Sequence, residues 1–428
     1  VLLALCLAPA PPAAAADRFP QPDFGGGYQA PQNTFPDPRP GVLESLDGVL
    51  LAIALALGTW FVLKRRSRKA VFGLMVLCLL YFGFWKNGCV CAVGSFQNVT
   101  DSVANPGFAI SLVVILFFAL PLLCALFFGR IFCAAVCPLG AIQDVVAVRP
   151  KRVSPWLAEA LSIIPYVYLG LAVLLAATQT TYLVCRFDPF VAFFRFSGTA
   201  HAFFAGAVLL IMGIVVARPY CRFLCPYGVL LAWMSRLSWK RVTVTPAECV
   251  QCRLCEDACP FGAIRHPTPE RAPESRRTGL RRTALAVAAT PLLIALGIWL
   301  GSHLGVPLSY FHENTRVADA LAREDAGLAQ ATVDTTAFRA TGRSTEDLQA
   351  EVQARRDRLD AGGAWLGAFI GLVIGVKLIS RSIYVRRKDY TADRGACLAC
   401  GRCYRFCPVK TPADHARKGQ EPDNAADS

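Results

Sequence analysis

Charge is what this 428-residue chain has least of: Asp, Glu, Lys and Arg together make up 17% of it, against about a quarter in soluble domains. With 54% apolar residues and a mean hydropathy of +0.43, that scarcity excludes a collagen, a disordered tail and a compact cytosolic enzyme. Histidine is scarce as well. His201 and His303 fall at the outer ends of apolar blocks with no second His at matched depth, so they read as interfacial polar residues and not as heme or quinone ligands. The apolar blocks carry almost no ionisable groups, which weighs against a buried quinol site. Acidic residues are outnumbered, giving a net charge of +14. Much of this excess sits in short runs beside apolar blocks (Lys64-Arg65-Arg66, Arg149 to Arg152, Arg386-Arg387-Lys388), so it reads as a topology signal and not as a nucleic-acid surface.

The apolar blocks lie near 45–63, 70–85, 107–128, 156–178, 200–217, 282–303 and 363–380, and helices of about 20 residues cross a hydrocarbon core of about 30 Å. Residues 1–16 read as a secretory signal with an Ala-x-Ala site ending at Ala16. A lipobox ending at Cys6 is disfavoured by the bulk of Leu5. Residues 17–44, rich in Pro and Gly, read as an extended outer arm. With the N-terminus outside, the basic joints at 64–69, 129–155, 218–281 and 381–428 all fall inside. The outer joints at 86–106 and 179–199 have Lys86, Arg186 and Arg195 as their only basic residues.

The expected fold is therefore an all-α polytopic membrane bundle of about seven spans with an inverted repeat, carrying a small α+β ferredoxin domain built from two split segments. Residues 45–240 form a five-span domain, 241–281 the first ferredoxin half, 282–303 span six, 304–362 an outer helical cap, 363–380 span seven, and 381–428 the second ferredoxin half and tail. The cap shows helix-like runs at 318–331 and, after a Ser344 cap, at 345–359. Thr341-Gly342-Arg343-Ser344 faintly resembles a covalent flavin attachment motif, but so short a loop favours a structural reading. The expected location is a bacterial inner membrane, with a periplasmic N-terminus and a cytoplasmic ferredoxin domain.

Eighteen cysteines are present, and they are grouped. Two runs, Cys249-x2-Cys252-x2-Cys255-x3-Cys259-Pro260 and Cys397-x2-Cys400-x2-Cys403-x3-Cys407-Pro408, have the bacterial ferredoxin spacing, in which the fourth Cys of each run ligates the other cluster. Cys249, Cys252, Cys255 and Cys407 are thus assigned to one [4Fe-4S] cluster, and Cys397, Cys400, Cys403 and Cys259 to a second. Tetrahedral zinc has no use for an eight-cysteine pattern with a Pro after each fourth Cys. The 137 residues between the halves, 260–396, contain two apolar helices, an even number of crossings that returns both halves to one face.

A second pattern, Cys133-x3-Cys137-Pro138-Leu139-Gly140 and Cys221-x3-Cys225-Pro226-Tyr227-Gly228, places two cysteines one helical turn apart at each of two corners, with Pro suited to the first turn of a new helix. Four thiolates from the two corners would hold a third [4Fe-4S] cluster at the inner membrane boundary; small core residues are the alternative, disfavoured by the repetition of Cys, Pro and Gly in register. A third copy lies on the outer side. Cys91-Ala-Val-Gly-Ser-Phe-Gln97-Asn98 aligns with Cys137-Pro-Leu-Gly-Ala-Ile-Gln143-Asp144, as an inverted repeat would leave it. Cys89, Cys91 and Cys185 are then ligands of an outer iron or iron-sulfur site whose fourth ligand the sequence does not identify. A disulfide from Cys185 to Cys89 or Cys91, or inert thiols, are the alternatives. Cys78 and Cys124 read as core.

The paired CxxxCP corners followed by two ferredoxin motifs resemble, over about residues 70–410, the membrane polyferredoxins of the nitrous-oxide-reductase regulator and periplasmic-nitrate-reductase quinol dehydrogenase (NosR/NapH) type. The resemblance implies multi-span electron transfer between a cytoplasmic or quinol donor and an outer redox partner. Two features depart from it: the regulator's large outer flavin domain is absent, and the ferredoxin motifs are split by a helical pair and a cap. The expected function is transmembrane electron transfer, as an electron-transfer subunit of an oxidoreductase complex. The expected donor is a cytoplasmic ferredoxin or flavoprotein, and the expected acceptor an outer flavoprotein, cytochrome or reductase. No nucleic acid is involved. A quinol dehydrogenase and a maturation or anchor subunit are the alternatives.

Crossed ligation makes a direct prediction. Cys407→Ser should damage the cluster held by Cys249, Cys252 and Cys255, read by cluster-resolved electron paramagnetic resonance. Loss of the Cys397, Cys400 and Cys403 cluster instead would contradict the crossed assignment.

Overall fold

A computed structural model describes residues 41–88, 92–148, 150–197, 199–240, 242–244, 249–268, 276–383 and 387–408. The signal at 1–16, most of the arm, Cys89, Cys91 and the tail beyond 408 lie outside the described residues. The chain is mostly helical, and five helices are long and apolar enough to cross a membrane: Glu44–Lys64, Arg68–Trp85, Pro155–Ala177, Arg277–Gly301 and Thr345–Ser382. Two of the seven expected spans differ. Leu112–Phe128 has 17 residues and Ala200–Val215 has 16, because each stops where the chain must turn into a cysteine corner. The first ends at Gly129, in the left-handed region at φ +84°, and the second at extended Val216, just before left-handed Arg218. Where the start of the first long helix meets the end of the second, buried Asp47 pairs with Lys86 at 2.5 Å and accepts the Tyr81 hydroxyl at 2.8 Å.

The last two long helices pack on a stripe of small residues. Gly363, Gly367, Gly371 and Gly375 recur every fourth residue on one face of Thr345–Ser382, and a Cβ on any of them would run into Gly301, Gly297, Leu293 or Thr290 of the facing helix. Where lipid removes the hydrophobic drive between helices, such close backbone approach supplies the contact. The last helical run of the cap, from Thr345, continues into the seventh apolar block as one 38-residue helix. The cap closes around Ala318, Leu321, Leu348 and Val352, with helices Glu313–Asp325 and Val333–Ala340. Ser344 caps the long helix by accepting the Asp347 N–H at 3.0 Å, and Gly342 takes the positive φ of the preceding turn. The flavin-like tetrapeptide is thereby a helix boundary.

The two cysteine-rich segments meet in a two-stranded antiparallel sheet, Ile264–Arg265 against Thr391–Ala392. This unit sits on the helical bundle through one buried carboxylate. Asp144, its side chain fully buried, is gripped by Arg68 at 2.5 Å, Arg402 at 3.1 Å and Arg218 at 3.4 Å. Burial alone would raise its pKa, but the three guanidiniums more than offset this and hold it well below the usual carboxylate range. Further ties surround the hub. Arg68 donates to the Cys400 carbonyl at 3.1 Å, Arg130 to the Gly395 carbonyl at 3.1 Å, and Ser235 to the Arg394 carbonyl at 2.6 Å. Arg66 lies 4.1 Å from the Tyr404 ring centroid.

Two predictions follow from this packing. Gly367→Val should separate the last two long helices, seen as a lower unfolding temperature in detergent, whereas Ala368→Val one position away should not. Asp144→Ala strands buried Arg218 without its counter-ion and should cost about 3–5 kcal/mol. Because the folded pKa is depressed, the hub's contribution is complete above about pH 4 and is lost only as pH falls below that. An Asp144→Ala variant as stable as the parent at pH 7 would contradict the hub.

Candidate metal centres

The corners take their shape from proline. Cys133 lies in the short helix Ile131–Ala135 and Cys221 in Pro219–Phe223; Cys137 and Cys225 are extended residues at the starts of Pro138–Val146 and Pro226–Arg236. The pairs therefore do not share a single helical turn, as spacing alone suggests. The ring of Pro138 or Pro226 pushes the preceding cysteine out of the helical region, so each corner is two helices meeting at a bend.

Gln143 joins the corners. Its Oε1 accepts the Tyr220 N–H at 3.0 Å, and its Nε2 donates to the Leu139 carbonyl at 2.7 Å and to Cys221 Sγ at 3.3 Å. Cys225 Sγ accepts the Gly228 N–H at 3.3 Å, and Arg130 reaches Cys133 Sγ at 3.8 Å. Cys133, Cys221 and Cys225 lie within electrostatic range of one another. Burial pushes the Cys221 thiol up to about 11, with Arg218 opposing and Cys133 adding to the shift. Cys137 is buried as well.

In the split domain, Gln251, Arg253, Ala399 and Gly401 adopt positive φ, winding the chain tightly between successive cysteines. Cys255 lies within electrostatic range of Cys249, Cys252 and Cys407. Cys397 is within range of Cys400 and Cys259, and Cys403 of both of these, of Cys397 and of Cys255. The structure thus brings Cys407 to the first triplet and Cys259 to the second. Burial raises Cys255 to about 11 and Cys397 to about 12, and the neighbouring thiols reinforce it.

Among the described residues, no three His, Cys, Asp or Glu side chains converge closely enough to hold a single metal ion. A cluster with an iron at each ligating corner spreads its thiolates wider than a lone tetrahedral ion, whose metal–sulfur bonds are about 2.3 Å. Two observations fit such a group. Buried thiols among other thiols ionise only when cationic metal compensates them, and the donors facing them are incompletely used. Arg222 Nη1 and Arg130 Nε are buried with no hydrogen-bond partner among the described residues, Arg222 beside Cys259 and Arg130 beside Cys133. Hydrogen bonds from such donors tune cluster potentials.

Arginine also bridges the groups. Arg218, fully buried, lies within electrostatic range of Cys221 on one side and Cys400 on the other, and donates to the Cys133 carbonyl.

Cys185 lies exposed in the short helix Leu183–Phe187. A Cβ on Gly94 would approach its Sγ to 3.3 Å, so the helix Ala92–Ala104 starts beside it. That helix is clamped to the Cys185 segment: Gln97 Oε1 accepts the Val184 N–H at 2.7 Å, and Asp101 accepts from Tyr182 at 2.5 Å and Gln179 at 3.2 Å. Ala92 and Val93 line the same small apolar cavity as Cys137 and Pro138, because the two repeat helices begin inside the bundle and face each other. Tyr168 lies within electrostatic range of Cys225, Cys185 and Asp188. Cys78 and Cys124 are buried in the helical core. Asp144, Arg218 and Tyr168 were not singled out from sequence. Gln143 and Gln97 had a signal, since each stands six residues after a cysteine in the repeat.

Protein-family models described as a 4Fe-4S binding domain match at residues 110–155 and 198–244, and again at 242–265. These segments contain both corners and the first ferredoxin run. An uncharacterized protein of Methanocaldococcus jannaschii is 36% identical over 67 residues, 16% of this chain and 27% of that protein. A second from the same organism is 29% identical over 96 residues, 22% of this chain and 40% of its own length. The Escherichia coli "Putative electron transport protein YccM" is 38% identical over 68 residues, 16% of this chain and 19% of that protein. The chain thus spans well under half the length of these relatives. No solved structure matches. The protein carries 4Fe-4S binding domains, and its similarity to these proteins supports a general role in iron-sulfur electron transfer.

Proposed function

We propose that the protein is a membrane electron wire. Its ferredoxin head holds two [4Fe-4S] clusters on Cys249, Cys252, Cys255 and Cys407 and on Cys397, Cys400, Cys403 and Cys259. A third sits on Cys133, Cys137, Cys221 and Cys225, and a further iron-sulfur site lies on the Cys185 side. The observation that carries this reading is the unbroken succession of neighbouring groups: Cys255 to Cys403, Cys400 through Arg218 to Cys221, and Cys225 through Tyr168 to Cys185. The clusters would supply one-electron oxidation and reduction. The chain's own part is to space them, shield them and aim donors at their ligands. Arg218 and Arg222 do this at the junction of head and corner, and Gln143 does it within the corner. In this reading the head is cytoplasmic, receives electrons from a ferredoxin or flavoprotein, and serves a flavoprotein, cytochrome or reductase across a bacterial inner membrane.

The test uses full-length protein in sealed vesicles, a low-potential one-electron donor at the ferredoxin head and an impermeant acceptor on the other side. A Cys137→Ser, Cys225→Ser double variant should lose about four irons per chain and bring acceptor reduction down to the level of protein-free vesicles, while the ferredoxin resonances persist. Unchanged iron content, or transfer at the parent rate, would refute the wire. Transfer that requires added quinol would replace it with quinol oxidation.

A further inference from the structure

We propose that Asp188 is an iron ligand, the fourth protein ligand of the centre on the Cys185 side, standing where Cys225 stands at the corner; this rests on the outer site of the wire reading. The ligand class is an iron-sulfur cluster held by thiolates and one carboxylate oxygen.

The sequence register comes first. Cys221-Arg222-Phe223-Leu224-Cys225-Pro226-Tyr227 is matched by Cys185-Arg186-Phe187-Asp188-Pro189-Phe190, one residue shorter, with Asp188 in the position before proline. The backbone agrees. Asp188 has φ −68° and ψ 115°, Cys225 has −63° and 112°, and Cys137 has −67° and 117°. Asp188 and Cys225 each follow a five-residue helix bearing the other cysteine. Each accepts a backbone N–H just downstream: Asp188 Oδ1 from Phe190 at 2.8 Å, and Cys225 Sγ from Gly228 at 3.3 Å. The aromatic after each proline, Phe190 or Tyr227, is fully buried.

Gln97 supplies independent support. Its Oε1 holds the N–H of the residue before Cys185 just as Gln143 Oε1 holds that of the residue before Cys221. Gln143 then spends its Nε2 on Cys221 Sγ. Gln97 is fully buried, and its Nε2 has no acceptor among the described residues. Asp188 is itself 5% exposed, and no cation pairs with it among the described residues. A buried carboxylate without a counter-charge is costly, and iron would supply that charge.

The experiment measures iron per chain and Mössbauer spectra on full-length protein purified without oxygen, for the parent, Asp188→Asn, Asp188→Cys and Cys185→Ser. Asp188→Asn keeps a side-chain oxygen for the Phe190 N–H but is a poor iron ligand; it should lose iron from this centre while the other resonances persist. Asp188→Cys should restore the iron, with the oxygen-ligated iron signature replaced by an all-sulfur one. Iron loss in Cys185→Ser but not in Asp188→Asn would leave the outer centre standing and reduce Asp188 to a helix cap. Unchanged iron in Cys185→Ser, or a Cys185 thiol that becomes alkylatable once a reductant opens a disulfide, would remove the centre and the proposal together.

Discussion

The Asp144 carboxylate is the constraint on which the rest of the structure depends. It receives one arginine from the start of the second long helix, one from the turn into the second cysteine corner and one from the second ferredoxin half, so three segments far apart in sequence share one buried charge. Guanidiniums suit this role because their forked donors bind carboxylate and backbone carbonyl together. Arg68 and Arg218 both do so. The shared carboxylate couples the seating of the cysteine-rich unit to the turn into the second corner. The split of the cysteine-rich unit follows the same logic. Its halves flank a pair of helices joined by glycine contacts and meet again in a two-stranded sheet, so the bundle closes the domain as it assembles.

Repeated parts make the centres comparable. A cysteine before a helix, a glycine three residues on and a glutamine six residues on recur at Cys137 and, by alignment, at Cys91. The glycines permit close approach, and the glutamines tie each helix to the backbone beside a second cysteine. Because both helices begin within the bundle, two sites that topology would put on opposite faces approach one another through a cavity and Tyr168. On the proposed electron path, this proximity would shorten the step between them.

Much of this was legible in the sequence. Block length and basic flanks identified the five long helices, and cysteine spacing identified the ferredoxin runs and corners, since both are local properties of the chain. Hydropathy could not set the ends of helices 112–128 and 200–215, because apolar residues continue beyond them into the corners. Gly362 and Gly363 fall at the boundary drawn between the cap and span seven. They lie inside the 38-residue helix because Leu174 and Gly301 approach too closely for a side chain. Asp144 gave no local sign, for its three partners lie at 68, 218 and 402. Asp188 was hidden by the one-residue deletion that takes its segment out of the CxxxCP pattern.

The most direct test of a continuous path through the molecule is the electron paramagnetic resonance spectrum of the fully reduced, full-length protein. Centres brought together by the Asp144 hub should couple magnetically, giving broadened, split signals that resolve into separate ones when Asp144→Ala releases the head. A parent spectrum that is a simple sum of isolated clusters would contradict the account.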